Sequence, residues 1–301
     1  MLLAIDIGNT QTSFGAYRRR LTSFPQSSRA ISPPRSAAPS QIASDSRQNG
    51  PEALWRVSTH AQATPDELAA QLASLFALHG LAFADVSAVC LGSVVPELTR
   101  AWIKACVICG LPVPLLPADI APRDLGLTPE QCAAVGADRL ANVVAARARY
   151  GAPVIVVDFG TATNLDVIDP AGHFIGGPIS AGLELSAAAL FARAARLTAV
   201  ELAAPERIVA QTTEDALRVG LVVGEAAKVD GLAMRIADEM TGDGDYSPEN
   251  PSSLAKLGEG ILPVIATGGL AELVAPHSNT ITFCDPTLTL DGLYLMATQA
   301  L

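Results

Sequence analysis

Asp6 and Asp158 each close a short apolar run. Each is followed two residues later by a glycine, Gly8 or Gly160, and then by hydroxyl and amide side chains. The first string reads M-L-L-A-I-D-I-G-N-T-Q-T and the second P-V-I-V-V-D-F-G-T-A-T-N. A carboxylate at a strand end can hold a hard cation, and hydroxyls can donate to phosphate oxygens. Glycine lets the backbone bend tightly and brings its N–H groups close to a ligand. Two such hairpins facing each other would clamp a polyphosphate from both sides. A third string, Gly136-Ala137-Asp138-Arg139, opens a predicted helix. There Asp138 can accept a proton from a substrate hydroxyl and Arg139 can pair with a carboxylate or phosphate. Taken alone, that string is read more readily as an acidic residue complementing a helix dipole, with an exposed arginine beside it.

The elements that would position these groups alternate between strands and helices. Residues 1–17 read as strand, turn and strand, and Leu54–Val57 as a strand paired with them. Thr64 and Pro65 open a helix carrying Leu68, Leu72, Leu75 and Phe76 on one face. Val86 to Val95 is a buried strand, followed by a helix through Trp102. Residues 117–129 read as irregular, and the helix that begins near Asp138 runs to Tyr150, stopped by Gly151 and Pro153. A second half then repeats the plan from Val154. It has a glycine-rich turn at 176–182, helices near 183, over 213–224 and over 226–240, and a surface loop over 241–260. A strand at 264–267 delivers Gly268 and Gly269, and the last helix spans 288–298. The expected fold is a duplicated α/β architecture, with halves at 1–150 and 151–301 and a cleft between them. Residues 18–51, rich in Ser, Pro and Arg, read as a flexible insertion.

Composition narrows the chemistry. Half of the 301 residues are hydrophobic and 17% are charged, enough to bury a large core. The net charge of -10 argues against a nucleic-acid partner, because phosphate backbones would be repelled. No apolar stretch is long enough to span a bilayer, and the reading is a cytoplasmic protein. Cys106 and Cys109 form a C-x-x-C without a second pair, which favours buried reduced thiols over zinc. Glu225 and Asp230, on one helix, read as facing solvent or a partner subunit. Asp166 and Asp169 read as a solvated turn rather than as neighbours of a metal. There is no G-x-x-x-x-G-K-[S/T] and no G-x-G-x-x-G, so phosphates must be held by the paired hairpins and Gly268-Gly269.

That combination resembles the acetate kinase, hexokinase and actin superfamily, whose fold is a duplicated ribonuclease H-like (actin-like ATPase) domain. The ordered strings D-I-G-N-T-Q-T, S-V-V-P, G-A-D-R-L-A-N, V-D-F-G-T-A-T-N-L-D, G-G-P-I-S-A-G, A-T-G-G-L-A and D-P-T-L-T-L-D-G-L resemble one family in particular, type III pantothenate kinase. The resemblance covers the chain from Met1 to about Leu301, apart from 18–51. It implies phosphorylation of the primary hydroxyl of pantothenate by ATP, the first step towards coenzyme A. It further implies a homodimer, a divalent metal (Mg2+ or Mn2+) with ATP, and a monovalent cation (K+ or NH4+). By the same resemblance, Asp6, Ile7, Gly8, Asn9, Thr10, Gln11, Thr12, Ser13, Thr161, Gly268 and Gly269 would bind ATP. Asp138 would be the general base, and Gly136, Ala137, Asp138, Arg139 and Thr213 would hold pantothenate. Asp158 would bind the monovalent cation.

The chain departs from the family pattern mainly around the acceptor. Ala181 stands where a proline is usual, Asn164 where a threonine is usual, and Ala210-Gln211-Thr212 where Gly-Lys-Asn is usual. Two other readings therefore stand beside the first: a non-catalytic regulatory relative, and a kinase for another small hydroxy acid.

Overall fold

The computed structural model describes residues 1–18, 50–194, 197–241 and 262–301. Most of the insertion expected over 18–51 and of the loop expected over 241–260 lies outside the described residues. The chain divides into two units. One comprises 1–18, 50–149 and 287–301, and the other the described residues of 150–286. In chain order the elements begin with β1 (Leu2–Ile7), β2 (Gln11–Tyr17), β3 (Ala53–Ser58), α1 (Pro65–Leu78), β4 (Ala88–Ser93) and α2 (Pro96–Ile108). They continue with α3 (Pro117–Ile120), α4 (Pro129–Ala134), α5 (Ala137–Tyr150), β5 (Val154–Phe159), β6 (Ala162–Ile168), β7 (Phe174–Gly176) and β8 (Ile179–Ala181). Then come α6 (Leu183–Arg193), α7 (Thr213–Arg218), α8 (Gly224–Thr241), β9 (Val264–Thr267), α9 (Ala271–Val274), β10 (Phe283–Cys284) and α10 (Leu288–Ala300).

The two sheets share one plan. In the first the order is β3-β2-β1-β4, with β1 antiparallel to β2, β2 antiparallel to β3, and β1 parallel to β4. Beyond β4, Leu115 makes a single parallel bridge to Cys90, a remnant of a fifth strand. In the second the order is β10-β9-β5-β6-β7, with β5 and β6 antiparallel, β6 and β7 antiparallel, and β5, β9 and β10 mutually parallel along the edge. Each sheet is a three-stranded meander whose first strand takes a parallel neighbour on its other side. This is the duplicated ribonuclease H-like α/β fold.

The sequence explains why β1 and β5 take the central places. Both L-L-A-I-D-I and V-I-V-V-D-F are buried at every position except the Asp, which is partly exposed. A strand covered on both faces reads as a continuous apolar run rather than an alternating one. On one face of the first sheet, Leu3, Ile5, Ile7 and Phe14 pack against Leu68, Leu72 and Phe76 of α1 and Leu98 and Trp102 of α2. On the other, Leu2, Ala4, Tyr17 and Cys90 pack against Ala141 of α5 and Leu290, Leu293 and Tyr294 of α10. α10 therefore returns to the first sheet from the far end of the chain, and the two units are not two consecutive stretches.

Helix starts follow local chemistry. Thr64 caps α1 in a reciprocal box with Glu67, with Pro65 in the first turn. Thr128 and Gln131 repeat the device at α4. The segment 117–129, expected to be irregular, instead holds α3 and a 3-10 turn at Arg123–Leu125. These pieces are too short to show a helical period, and a fully buried Leu125 anchors them. The helices expected over 213–224 and 226–240 form one run, in which a π-helical turn at Val219–Val223 joins α7 to α8.

α10 crosses α5 at a glycine. A Cβ on Gly292 would overlap the carbonyl of Ala141. Gly to Ala inside a helix normally gains about 1 kcal/mol. Here the clash outweighs that gain, and Gly292→Ala is expected to lower unfolding stability by about 1–3 kcal/mol, read from urea denaturation.

Candidate active site

In the first unit the carboxyl ends of β1 and β4 carry the polar groups. Asp6 stands in register with Ser13 of β2 and with Gly92 of β4. The hairpin that follows is closed by the Gly8 N–H donating to the Gln11 carbonyl at 3.0 Å, and Asn9, Thr10 and Gln11 are exposed at its tip. Ile7 is buried in the core, so only its backbone is presented at this end. Thr12 is also buried, its hydroxyl 2.8 Å from that of Thr59, while the Thr59 N–H donates to the Thr10 carbonyl at 2.9 Å. Thr59 thus braces the hairpin from β3's end. Nothing in the sequence marks it beyond its place just after a strand.

The Gly136–Arg139 string lies at the same end of this sheet. A Cβ on Gly92 would sit 3.5 Å from Ala137 Cβ, and one on Gly136 would sit 3.7 Å from Val94 Cγ1. The missing side chain at Gly92 lets α5 begin against the end of β4. A Cβ on Gly136 would also run into Asp138 Oδ1. Asp138 is half-buried in the first turn of α5, and its Oδ1 accepts from the Arg139 N–H at 2.8 Å. Burial raises the Asp138 carboxyl above its ordinary range, opposed by the Arg139 N–H and guanidinium. A carboxylate in that state is a better proton acceptor than a free one.

In the second unit the same construction recurs. Asp158 is in register with Asn164 of β6 and Thr267 of β9. The Gly160 N–H donates to the Ala162 carbonyl at 3.0 Å, and the exposed Thr161 accepts from the Gly182 N–H at 3.0 Å. Gly268 has a φ of +91°, and a Cβ there would lie 2.5 Å from Asp158 Oδ1 and 2.7 Å from the Phe159 backbone. The glycine turn after β9 is therefore pressed onto the end of β5, and Gly269 beside it faces open space. The structure brings Asp158 and Gly268 together in this unit, and Thr161 lies at the tip of the hairpin that follows Asp158. Thr213 is the exposed first residue of α7, next to its N-cap Thr212.

The sequence profile of the type III pantothenate kinases matches residues 2–235. The type III pantothenate kinase of Roseiflexus castenholzii is 37% identical over 297 residues, covering 98% of both chains. That of Rubrobacter xylanophilus is 36% identical over 301 residues, covering 98% of this chain and 97% of its own. This chain belongs to the type III pantothenate kinase family. Among solved structures, a conserved Campylobacter jejuni protein described as a Baf family transcriptional activator superposes with a TM-score of 0.53. The alignment is 16% identical and covers 99% of this chain and 98% of that one. At that identity the likeness speaks for the fold.

Within this family member, several residues stand differently from expectation. Glu225 is buried rather than facing solvent or a partner. It accepts from Thr163 Oγ1 at 2.7 Å and pairs with Lys228 Nζ at 2.8 Å, so α8 braces the second hairpin. Asp230 is buried too. Its Oδ1 accepts from Ser278 Oγ and from Thr280 Oγ1 at 2.7 Å, and its Oδ2 from the Asn279 N–H at 2.9 Å. Both acids are buried despite their charge, and buried carboxylates are tolerated when donors surround them. Asp166 is a fully buried residue of β6 rather than part of a turn, whereas Asp169 is in the turn before β7, accepting from the His173 N–H at 2.8 Å. Burial pushes the Cys106 thiol up to about 12 and raises that of Cys109; both thiols are free and Cys106 is buried in the core of the first unit.

Among the described residues no group of three or more His, Cys, Asp or Glu side chains is arranged to hold a metal. Within the first unit, a carboxylate such as Asp6 at a strand end suits a hard divalent cation that brings its remaining ligands from substrate phosphates. The two glycines after β9 separate the roles of space and sequence. Gly268→Ala is expected to lower stability by about 2 kcal/mol or more, from strain at positive φ plus the clash with Asp158. Gly269→Ala should leave the thermal midpoint close to wild type.

Proposed function

We propose that this protein transfers the γ-phosphoryl group of ATP to the primary hydroxyl of pantothenate, giving 4'-phosphopantothenate, with Asp138 as general base. Membership of the type III pantothenate kinase family supports the reaction. The observation that carries the base assignment is the half-buried Asp138 carboxylate, raised by desolvation and seated at the sheet end that also bears Asp6 and its hairpin.

Phosphoryl transfer needs positioning and charge neutralisation more than covalent chemistry. Asp6 to Ser13 present backbone N–H groups, amides and hydroxyls to the phosphates, with Ile7 and Thr12 contributing through the backbone. Thr161, Gly268 and Gly269 offer a second set. A divalent metal bound with ATP neutralises phosphate charge, and Asp158 is the residue proposed to hold the monovalent cation. Asp138 takes the hydroxyl proton as the oxygen attacks phosphorus. The bond to the β-phosphate oxygen breaks and ADP leaves with that electron pair. Arg139, beside the base, pairs with the substrate carboxylate, and Gly136, Ala137 and Thr213 complete the acceptor site. The enzyme of this proposal is a cytoplasmic homodimer without nucleic-acid or membrane partners. Among the described residues no helix is long and apolar enough to cross a membrane.

Asp138→Asn is expected to lower pantothenate-dependent ADP release by about a hundredfold or more while ATP affinity stays within twofold. Undiminished turnover removes Asp138 from the mechanism. ADP release that does not depend on pantothenate points to another acceptor, and no release under any condition points to a non-catalytic relative. The pH profile gives a separate check. The base must be deprotonated and burial raises its pKa, so activity is lost as pH falls through a value above the ordinary carboxylate range. An acidic limb at or below the value of a free aspartate contradicts the assignment.

A further inference from the structure

The terminal helix grips α5 through three contacts. At the last turn of α5, Arg149 Nη2 donates to Asp291 Oδ2 at 2.8 Å. Asp291 is fully buried and also accepts from Tyr17 OH at 2.7 Å and Thr287 Oγ1 at 2.9 Å. Nearer the start, Gly292 lets the two backbones meet at Ala141. At the next residue of α5, Thr289 Oγ1 donates to Asn142 Oδ1 at 2.8 Å. Asn142 is fully buried and lies four residues after Asp138, hence one turn along the same helical face. Leu293, one turn beyond Thr289 in α10, lies against Gly92, the residue that lets α5 begin on β4.

We propose that Thr289 is a positioning residue for phosphoryl transfer, fixing through its hydrogen bond to Asn142 the turn of α5 that aims the Asp138 carboxylate. The inference rests on Asp138 being the base. Asp291 and Gly292 hold the helix pair together, and their loss acts on folding. The Thr289 hydroxyl is different. It is the polar tie nearest Asp138 across this crossing, on a half-buried side chain whose shape valine reproduces. Without it the Asn142 amide loses one partner, and the first turn of α5 loses its lateral fix where a displacement of a fraction of an ångström matters.

The test compares Thr289→Val with Thr289→Ser, each in the wild-type and Asp138→Asn backgrounds. Thr289→Val is expected to lower kcat about tenfold with the KM for ATP within twofold, a loss placed in the chemical step rather than in nucleotide binding. Thr289→Ser, which keeps the hydroxyl, should restore kcat to within about twofold of wild type. In the Asp138→Asn background Thr289→Val should cost nothing further, because the group it aims is gone. The inference is overturned by Thr289→Val with wild-type kcat while Asp138→Asn is impaired. It is equally overturned by Thr289→Ser as poor as the valine variant, or by the same tenfold loss in the Asp138→Asn background. Failure of the base assignment looks different: Asp138→Asn itself then turns over normally.

Discussion

The parallel pairing of β1 with β4, sealed on both faces, is the constraint from which the first unit follows. β1 is covered by α1 and α2 on one side and by α5 and α10 on the other. Each fully buried Leu or Ile there contributes about 2 kcal/mol, several times the differences in local propensity among the residues of the strand. A carboxylate cannot sit inside such a layer without partners. It can sit at the strand's carboxyl end, where the sheet stops and the hairpin turns, and that is where Asp6 is found. The same ladder puts Gly92 beside Asp6, and the absence of a side chain at Gly92 seats α5. Hydrophobic burial thus determines the location of the polar groups without contributing to their chemistry.

The second unit solves the same problem with different residues. β5 repeats the burial pattern of β1 position for position, and a parallel neighbour, β9, again ends in a glycine turn. In the first unit a helix start is packed against the neighbour strand, whereas in the second the Gly268 turn itself is packed against the aspartate. The duplicated scaffold therefore carries two unlike ends. One bears the acid-bearing helix α5, and the other a backbone turn close to Asp158.

Much of this was legible in the sequence, and for identifiable reasons. The two D-x-G strings are continuous apolar runs ending in a charge, which only a doubly covered strand produces, and both strands are where the strings place them. Thr64 and Pro65 announce α1 because capping is local. The buried acids were not legible. Glu225, Asp230 and Asp166 carry charge, and charge on a helix or beside a turn reads as solvent-facing. The donors to Glu225 and Asp230, namely Thr163, Ser278 and Thr280, come from distant parts of the chain. Thr59 and Thr289 escaped notice for the same reason, since single hydroxyls gain meaning only from partners 47 and 147 residues away. The pieces within 117–129 were missed because helices of one or two turns leave no period to read.

The central claim, that Asp138 deprotonates the pantothenate hydroxyl, is tested most directly by a crystal structure with pantothenate and a non-hydrolysable ATP analogue. The account predicts the Asp138 carboxylate about 3 Å from the primary hydroxyl. It also predicts the analogue's phosphates held by the hairpin that follows Asp6. A hydroxyl directed away from Asp138, or phosphates bound without that hairpin, would contradict it.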